Sequence, residues 1–158
     1  MRKFVLATAA ILGIGLVFLL ASPGTTLSLA KGLERRRAGL SEHTASVGDF
    51  EIVYTDGGAG EVLLMVHGFN ADKDNWTRMA AALTDDYRVV ALDLPGFGQS
   101  SRIDGLSYDA GTQADRLKAF HDAVGLAAVH LVGNSMGGEI VAVYATRYPE
   151  DVATLTLV

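Results

Sequence analysis

Gly133-Asn134-Ser135-Met136-Gly137-Gly138 sets one serine between glycines two positions to either side. The apolar run Val129–Val132 precedes it, and a helical pattern from Ser135 to Tyr148 follows, stopped by Pro149. A strand that turns this sharply into a helix strains the residue at the bend. Glycines at Gly133 and Gly137 remove the Cβ atoms that would clash there. Such a turn lifts the Ser135 hydroxyl to the top of a sheet, at a helix N-terminus that favours developing negative charge. The chemistry this suits is nucleophilic attack on a carbonyl, with Ser135 as the attacking group.

A hydroxyl alone is a weak nucleophile, so the tetrahedral oxyanion needs donors. His67-Gly68-Phe69-Asn70 follows the apolar strand Val62–Val66, where a loop can aim the Phe69 N–H, together with that of Met136, at the oxyanion. Gly68 belongs to the same supporting loop, and His67 is expected to hydrogen-bond and shape it rather than to act as the base. Asp93-Leu94-Pro95-Gly96-Phe97-Gly98-Gln99-Ser100 follows the strand Val89–Leu92. Pro95 and its glycines make a sharp loop, and Asp93 is expected to cap the loop's N–H groups rather than to orient a base. His43, His121 and His130 read as structural or solvated. No spacing of His, Asp or Glu predicts a metal site, Gly133–Gly138 lacks the lysine of a phosphate loop, and no cofactor is expected.

These loops need a sheet beneath them. His43–Val47 and Phe50–Thr55 predict an antiparallel hairpin turned at Gly48-Asp49. Val62–Val66 is apolar throughout, as a strand buried on both faces must be. Trp76, Met79, Ala80 and Leu83 share one helical face, as do Ala114, Leu117, Phe120 and Val124, the second helix ending at Gly125. Val89–Leu92, Val129–Val132 and Ala153–Val158 supply further strands. Strands alternating with helices predict an α/β fold, a mostly parallel sheet covered on both sides. The last strand has no cap or polar tail after it, which reads as a domain cut short after a sixth strand.

With its three motifs in register, the chain from about residue 43 onward resembles the α/β-hydrolase superfamily. His67–Trp76, Asp93–Ser100 and Gly133–Gly138 are similar to the corresponding stretches of bacterial family V lipases and membrane-anchored monoacylglycerol lipases. The resemblance implies a serine esterase acting on small-molecule or lipid esters through an acyl-enzyme. It implies strand order 1-2-4-3-5-6-7-8, with the triad acid and histidine and the cap over the acyl pocket all beyond Val158. The 158-residue chain alone is then expected to be inactive and to aggregate. The elbow also resembles that of hydrolases that cleave carbon–carbon bonds in ring-fission products, although Phe69 stands where those tend to carry glycine. A non-catalytic, membrane-tethered fragment is the alternative of another class.

The remaining signal lies at the N-terminus. Phe4–Ala21 is free of charge and follows Arg2-Lys3; as a helix its 18 residues would span ~27 Å, just short of a ~30 Å hydrocarbon core. It reads as an uncleaved membrane anchor or as an export signal cut before Lys31. Residues 1–30 thus form the signal or anchor, 31–42 a basic linker carrying Arg35-Arg36-Arg37, and 43–158 the hydrolase portion. The chain carries −5 overall. Residues 1–40 hold +5 and the rest −10, a distribution that excludes nucleic acid as a substrate of the catalytic portion. Cysteine is absent, which removes disulfides and thiolate metal sites.

Overall fold

The computed structural model describes Gly15 and residues 22–158. Apart from Gly15, the apolar segment Phe4–Ala21 lies outside the described residues. Among those described, no helix is long and apolar enough to cross a membrane. The chain divides into two units, Met1–Glu34 and Arg35–Val158.

Helix α1, Pro23–Arg37, begins at a proline, a residue that more often ends helices than carries them. Proline is well suited to the first turn of a helix, whose N–H groups have no intrahelical acceptor, so Pro23 opens the helix instead of interrupting it. Leu27, Leu29 and Leu33 on this helix are exposed. The expected linker over 31–42 is helix up to Arg37 and strand from Leu40. Arg35 is not solvated: its guanidinium lies 2.9 Å from both Glu42 and Asp74.

In the second unit, β1 (Leu40–Val47) and β2 (Phe50–Gly57) form the expected hairpin, each strand two to three residues longer than the hydrophobic pattern implies. The turn closes at Gly48, φ 57°. Then come β3 (Val62–Val66), a 3-10 turn (Lys73–Trp76), α2 (Thr77–Ala80), β4 (Arg88–Leu92), α3 (Ala110–Ala123), β5 (Val129–Gly133), α4 (Met136–Arg147), a 3-10 turn (Pro149–Asp151) and β6 (Val152–Leu157). The six strands make one sheet in the order β1-β2-β4-β3-β5-β6, the order the resemblance implies. β1, β2 and β4 pair antiparallel, while β4, β3, β5 and β6 run parallel.

The single helix expected through Trp76 and Leu83 is shorter and begins earlier. Asp72 accepts the Asp74 N–H and starts the 3-10 turn, and α2 ends at Ala80 in a run of turns. Trp76 and Ala80 are buried, but Met79 is 47% exposed, because the short helix turns that position away from the sheet. α3 matches its pattern more closely. Ala114, Leu117 and Phe120 are buried, Asp109 accepts from the Thr112 N–H at the N-cap, and Gly125 takes the left-handed conformation just past the C-terminus, as helix ends commonly require.

The core lies on both sides of the central strands. Ile52, Leu64, Val90, Leu92, Leu131, Ile140 and Tyr144 fill one cluster, and Met65, Trp76, Ala80, Val89 and Ala91 the other. Leu64, Val66, Val90 and Leu92 are fully buried, which explains why β3 and β4 carry no alternating polar residues. β6 differs: Leu155 and Leu157 are exposed.

Helix α4 crosses the sheet at very short range. A Cβ on Gly137 would stand 2.5 Å from the His67 carbonyl oxygen and would also overlap that of Val66, whereas one on Gly138 would be 3.4 Å from its nearest neighbour. Backbone on both sides leaves nothing to yield. Gly137→Ala is therefore expected to lower unfolding free energy by ~3 kcal/mol, the upper end of the usual overpacking cost. Gly138→Ala should change it by less than ~1 kcal/mol. Urea denaturation of the two variants side by side checks the contrast.

Candidate active site

Ser135 sits between β5 and α4 with φ 50° and ψ −117°, a conformation that L-residues with a side chain rarely adopt and that costs ~1–3 kcal/mol. This is the strain the glycine spacing predicts. The two glycines act as expected, since a Cβ on Gly133 would come within 2.5 Å of the Gly137 carbonyl oxygen. The backbone around the bend is tied down: the Asn134 N–H donates to Val66 O at 3.0 Å, and the Ser135 N–H to Val158 O at 2.9 Å. Ser135 itself is exposed.

The loop after β3 lies directly against this turn. A Cβ on Gly68 would be 2.9 Å from Asn134 Oδ1 and 3.3 Å from Ser135 Cβ. Only glycine lets the loop that carries Phe69 come so near to the turn that carries Ser135 and Met136. Neither the Phe69 nor the Met136 N–H donates to an acceptor among the described residues. Asn70 turns the chain back with φ 56°. The Phe69 ring is 75% exposed and packs edge-on to Phe97.

His67 is buried at the end of β3. Its Nδ1–H donates to Gly68 O at 2.7 Å, while Nε2 accepts the Leu94 N–H at 3.1 Å. Both nitrogens are thus used to join the loops after β3 and β4. His43 stacks near Tyr54, His121 Nε2–H donates to Ala127 O, and His130 Nδ1 bonds the Thr154 hydroxyl. None of the four histidines hydrogen-bonds Ser135 among the described residues.

Asp93 caps its loop as expected, accepting the Gln99 N–H at 2.8 Å. Its larger partnership went unread. Oδ1 accepts the Lys73 N–H at 2.7 Å, and Oδ2 lies 3.0 Å from Lys73 Nζ. Both side chains are almost wholly buried. In sequence Lys73 stands between two aspartates and looks like part of a solvated turn; seven residues past β3, while Asp93 directly follows β4, its position offers no hint of the pairing. The loops after β3 and β4 enclose a cleft of about 580 Å³, with residues 69–72 on one wall and Phe97, Gly98 and Arg102 on the other.

His121, Asp122 and Asp151 also come together, with ligand atoms within 4.8 Å of one another, a grouping their spacing did not suggest. The Lys118 ammonium already sits there, 2.5 Å from Asp122 and 3.1 Å from Asp151, and the Tyr144 hydroxyl donates to Asp151. Lys118 bridges both carboxylates, so the group reads as an ion-pair cluster.

A family model described as the alpha/beta hydrolase fold matches residues 61–158. The chain belongs to the α/β-hydrolase family. Among α/β-hydrolase relatives, it is 46% identical over 118 residues to Lipase 1 of Psychrobacter immobilis, a match covering 73% of this chain and 37% of that protein. It is 35% identical over 129 residues to a monoacylglycerol lipase of Xenopus laevis, covering 78% of this chain and 38% of the relative. The crystal structure of a membrane phospholipase A superposes with a TM-score of 0.86 at 49% identity, over 99% of this chain and 51% of that one. This chain therefore spans between about a third and a half of the length of these α/β-hydrolases.

Burial pushes the His67 pKa below its ordinary value, outweighing the Gly68 carbonyl and the nearby Asp93 and Asp72 charges that favour the imidazolium. Below about pH 6.5 the unfolded chain then binds more protons than the native one, so stability rises with pH through that range and is lost as pH falls. His67→Gln, whose side-chain oxygen can still accept from the Leu94 N–H, should lose less stability between pH 7 and pH 5 than the unsubstituted protein. Urea midpoints at the two pH values measure the difference.

Proposed function

We propose that this chain supplies the nucleophile and the oxyanion hole of a carboxylic ester hydrolase of the lipase or esterase type. The reaction runs through an acyl-enzyme: Ser135 Oγ attacks the ester carbonyl, a histidine general base takes its proton, and the alcohol leaves. The N–H groups of Phe69 and Met136 hold the oxyanion, each contributing ~2.7–4 kcal/mol of transition-state stabilisation. The observation that carries the reading is the strained, exposed Ser135 with the Gly68 backbone packed against it. His67 is not the base, because both ring nitrogens are engaged with Gly68 and Leu94. On this reading the base and its acid partner come from outside residues 1–158, and the chain by itself turns nothing over.

The substrate follows from the relatives. A bacterial lipase, a monoacylglycerol lipase and a membrane phospholipase A support a lipid ester, and the exposed Phe69 ring with Phe97 beside it offers an apolar surface for an acyl chain. Phe69, rather than a glycine, also favours ester hydrolysis over carbon–carbon cleavage. In the whole protein a fluorophosphonate should label the peptide that contains Ser135, and Ser135→Ala should abolish labelling and lower kcat by several orders of magnitude, on the order of 10⁶. Labelling that survives the substitution would reject the mechanism.

The location proposed is outside the cytoplasm, with Phe4–Ala21 as export signal and, where uncleaved, as membrane anchor. The uncharged run behind Arg2-Lys3 and the likeness to a membrane phospholipase A support it. A periplasmic alkaline phosphatase reporter joined after residue 45 should be active and should stay with membranes through a carbonate wash. Activity found only with a cytoplasmic reporter would refute export, and release by carbonate would refute the anchor alone.

A further inference from the structure

Two loops line the cleft bordered by Phe69 and Phe97, and one carboxylate holds both. Asp93 stands at the end of β4 with no exposed surface. From the loop after β3 it accepts the Lys73 N–H at 2.7 Å and lies 3.0 Å from the Lys73 ammonium. From its own loop it accepts the Gln99 N–H at 2.8 Å, while its carbonyl oxygen accepts the Ser100 hydroxyl at 2.7 Å. The Lys73 ammonium also donates to Gln99 Oε1 at 2.5 Å and lies 3.1 Å from Glu42. Gly98 passes so close to this carboxylate that a Cβ there would stand 2.5 Å from Asp93 Oδ1.

The loop that bears Phe69 is thus fixed at two points. Gly68, its first residue after His67, abuts Ser135 and Asn134, and Lys73, four residues beyond Phe69, is clamped to Asp93. Asn70 reverses the chain between them. A buried ion pair is a poor route to stability, because hydrophobic residues of similar volume often serve as well or better. What the pair adds is geometry: a fixed separation between two loops that share no strand pairing of their own.

Resting on the ester-hydrolase reading above, we propose that Lys73 and Asp93 are positioning residues for the oxyanion hole. Their clamp fixes the Phe69 N–H relative to Ser135 and sets the width of the cleft between residues 69–72 and Phe97. Neither residue touches the reacting atoms. Their contribution is made in the transition state, so it falls on kcat and leaves KM nearly unchanged.

The test uses the whole protein and p-nitrophenyl butyrate, comparing Lys73→Met, Asp93→Asn, the double variant and Gln99→Met. Lys73→Met leaves the buried Asp93 carboxylate without its ammonium, and Asp93→Asn leaves Lys73 only the partly exposed Glu42 as counter-charge, so each should lower both Tm and kcat. The double variant leaves no buried charge at either position, and the asparagine oxygen still accepts the N–H of position 73. It should regain most of the Tm lost by the single variants while kcat stays about 100-fold low, the order of loss that a displacement of about 1 Å produces. KM should move by less than about threefold. Gln99 is exposed, so Gln99→Met should fold normally. Trp76, the sequence's one tryptophan, lies on the turn that Lys73 opens, and its unshifted emission would report an intact loop. In that variant kcat should fall about 3- to 10-fold.

A double variant that recovers Tm and kcat together would overturn the proposal, leaving the pair a structural role only. Should the double variant fail to fold, Gln99→Met decides, and an unchanged kcat there overturns the proposal as well. Whole protein with no Ser135-dependent turnover would overturn the ester-hydrolase reading and this proposal with it. Turnover that depends on Ser135 but ignores all four variants would overturn this proposal alone.

Discussion

The site depends on a close approach between backbones. Gly137 sits where any side chain would strike the carbonyl groups of Val66 and His67, and Gly68 sits where one would strike Asn134. The end of β3 and the start of α4 therefore meet with no side chain between them. The positive φ of Ser135 and its exposure go with that contact. Packing at this density leaves little room for adjustment, so the turn at Ser135 is held by main chain against main chain.

A second constraint operates just outside this contact. Loops after parallel strands have no ladder to hold them, and here the polar groups of two such loops are taken into the interior together. Burying Asp93 without Lys73 would leave a charge facing apolar residues at a cost of ~3–5 kcal/mol, so each loop can occupy its place only if the other does. His67 adds a neutral link between the same two loops, from Gly68 O through the ring to the Leu94 N–H.

The fold was legible where the sequence is periodic or apolar without interruption. β3 and β4 read as buried because they are buried on both faces, and α3 because Ala114, Leu117 and Phe120 recur on one side. The elbow was legible because glycine at two positions around a serine has few other uses. Three features escaped. Pro23 has the same appearance whether it starts a helix or ends one. Met79 fits the apolar face of a long helix, but Asp72 shifts the start and α2 stops too soon to bury it. Lys73 and Arg35 carry charges that in sequence imply water, and only the fold reveals that the partners of one lie just after β4 and on β1 and those of the other on β1 and the 3-10 turn.

The pairing pattern carries a consequence for the order of assembly. β1 and β2 are joined by a two-residue turn, so their pairing closes a very short loop. β5 must instead enter beside β3, Leu63 opposite His130, with β4 and α3 already threaded between them in the chain. Contacts so distant in sequence form slowly, because the entropy of closing the intervening chain must be lost before they contribute. The strained bend at Ser135 belongs to this late step, since Asn134 is held by Val66 and Gly137 by the space that β3 leaves. On a ribosome the hairpin can form while the residues of the elbow are still unsynthesised, and the Ser135 hydroxyl takes its final attitude only when the centre of the sheet has closed.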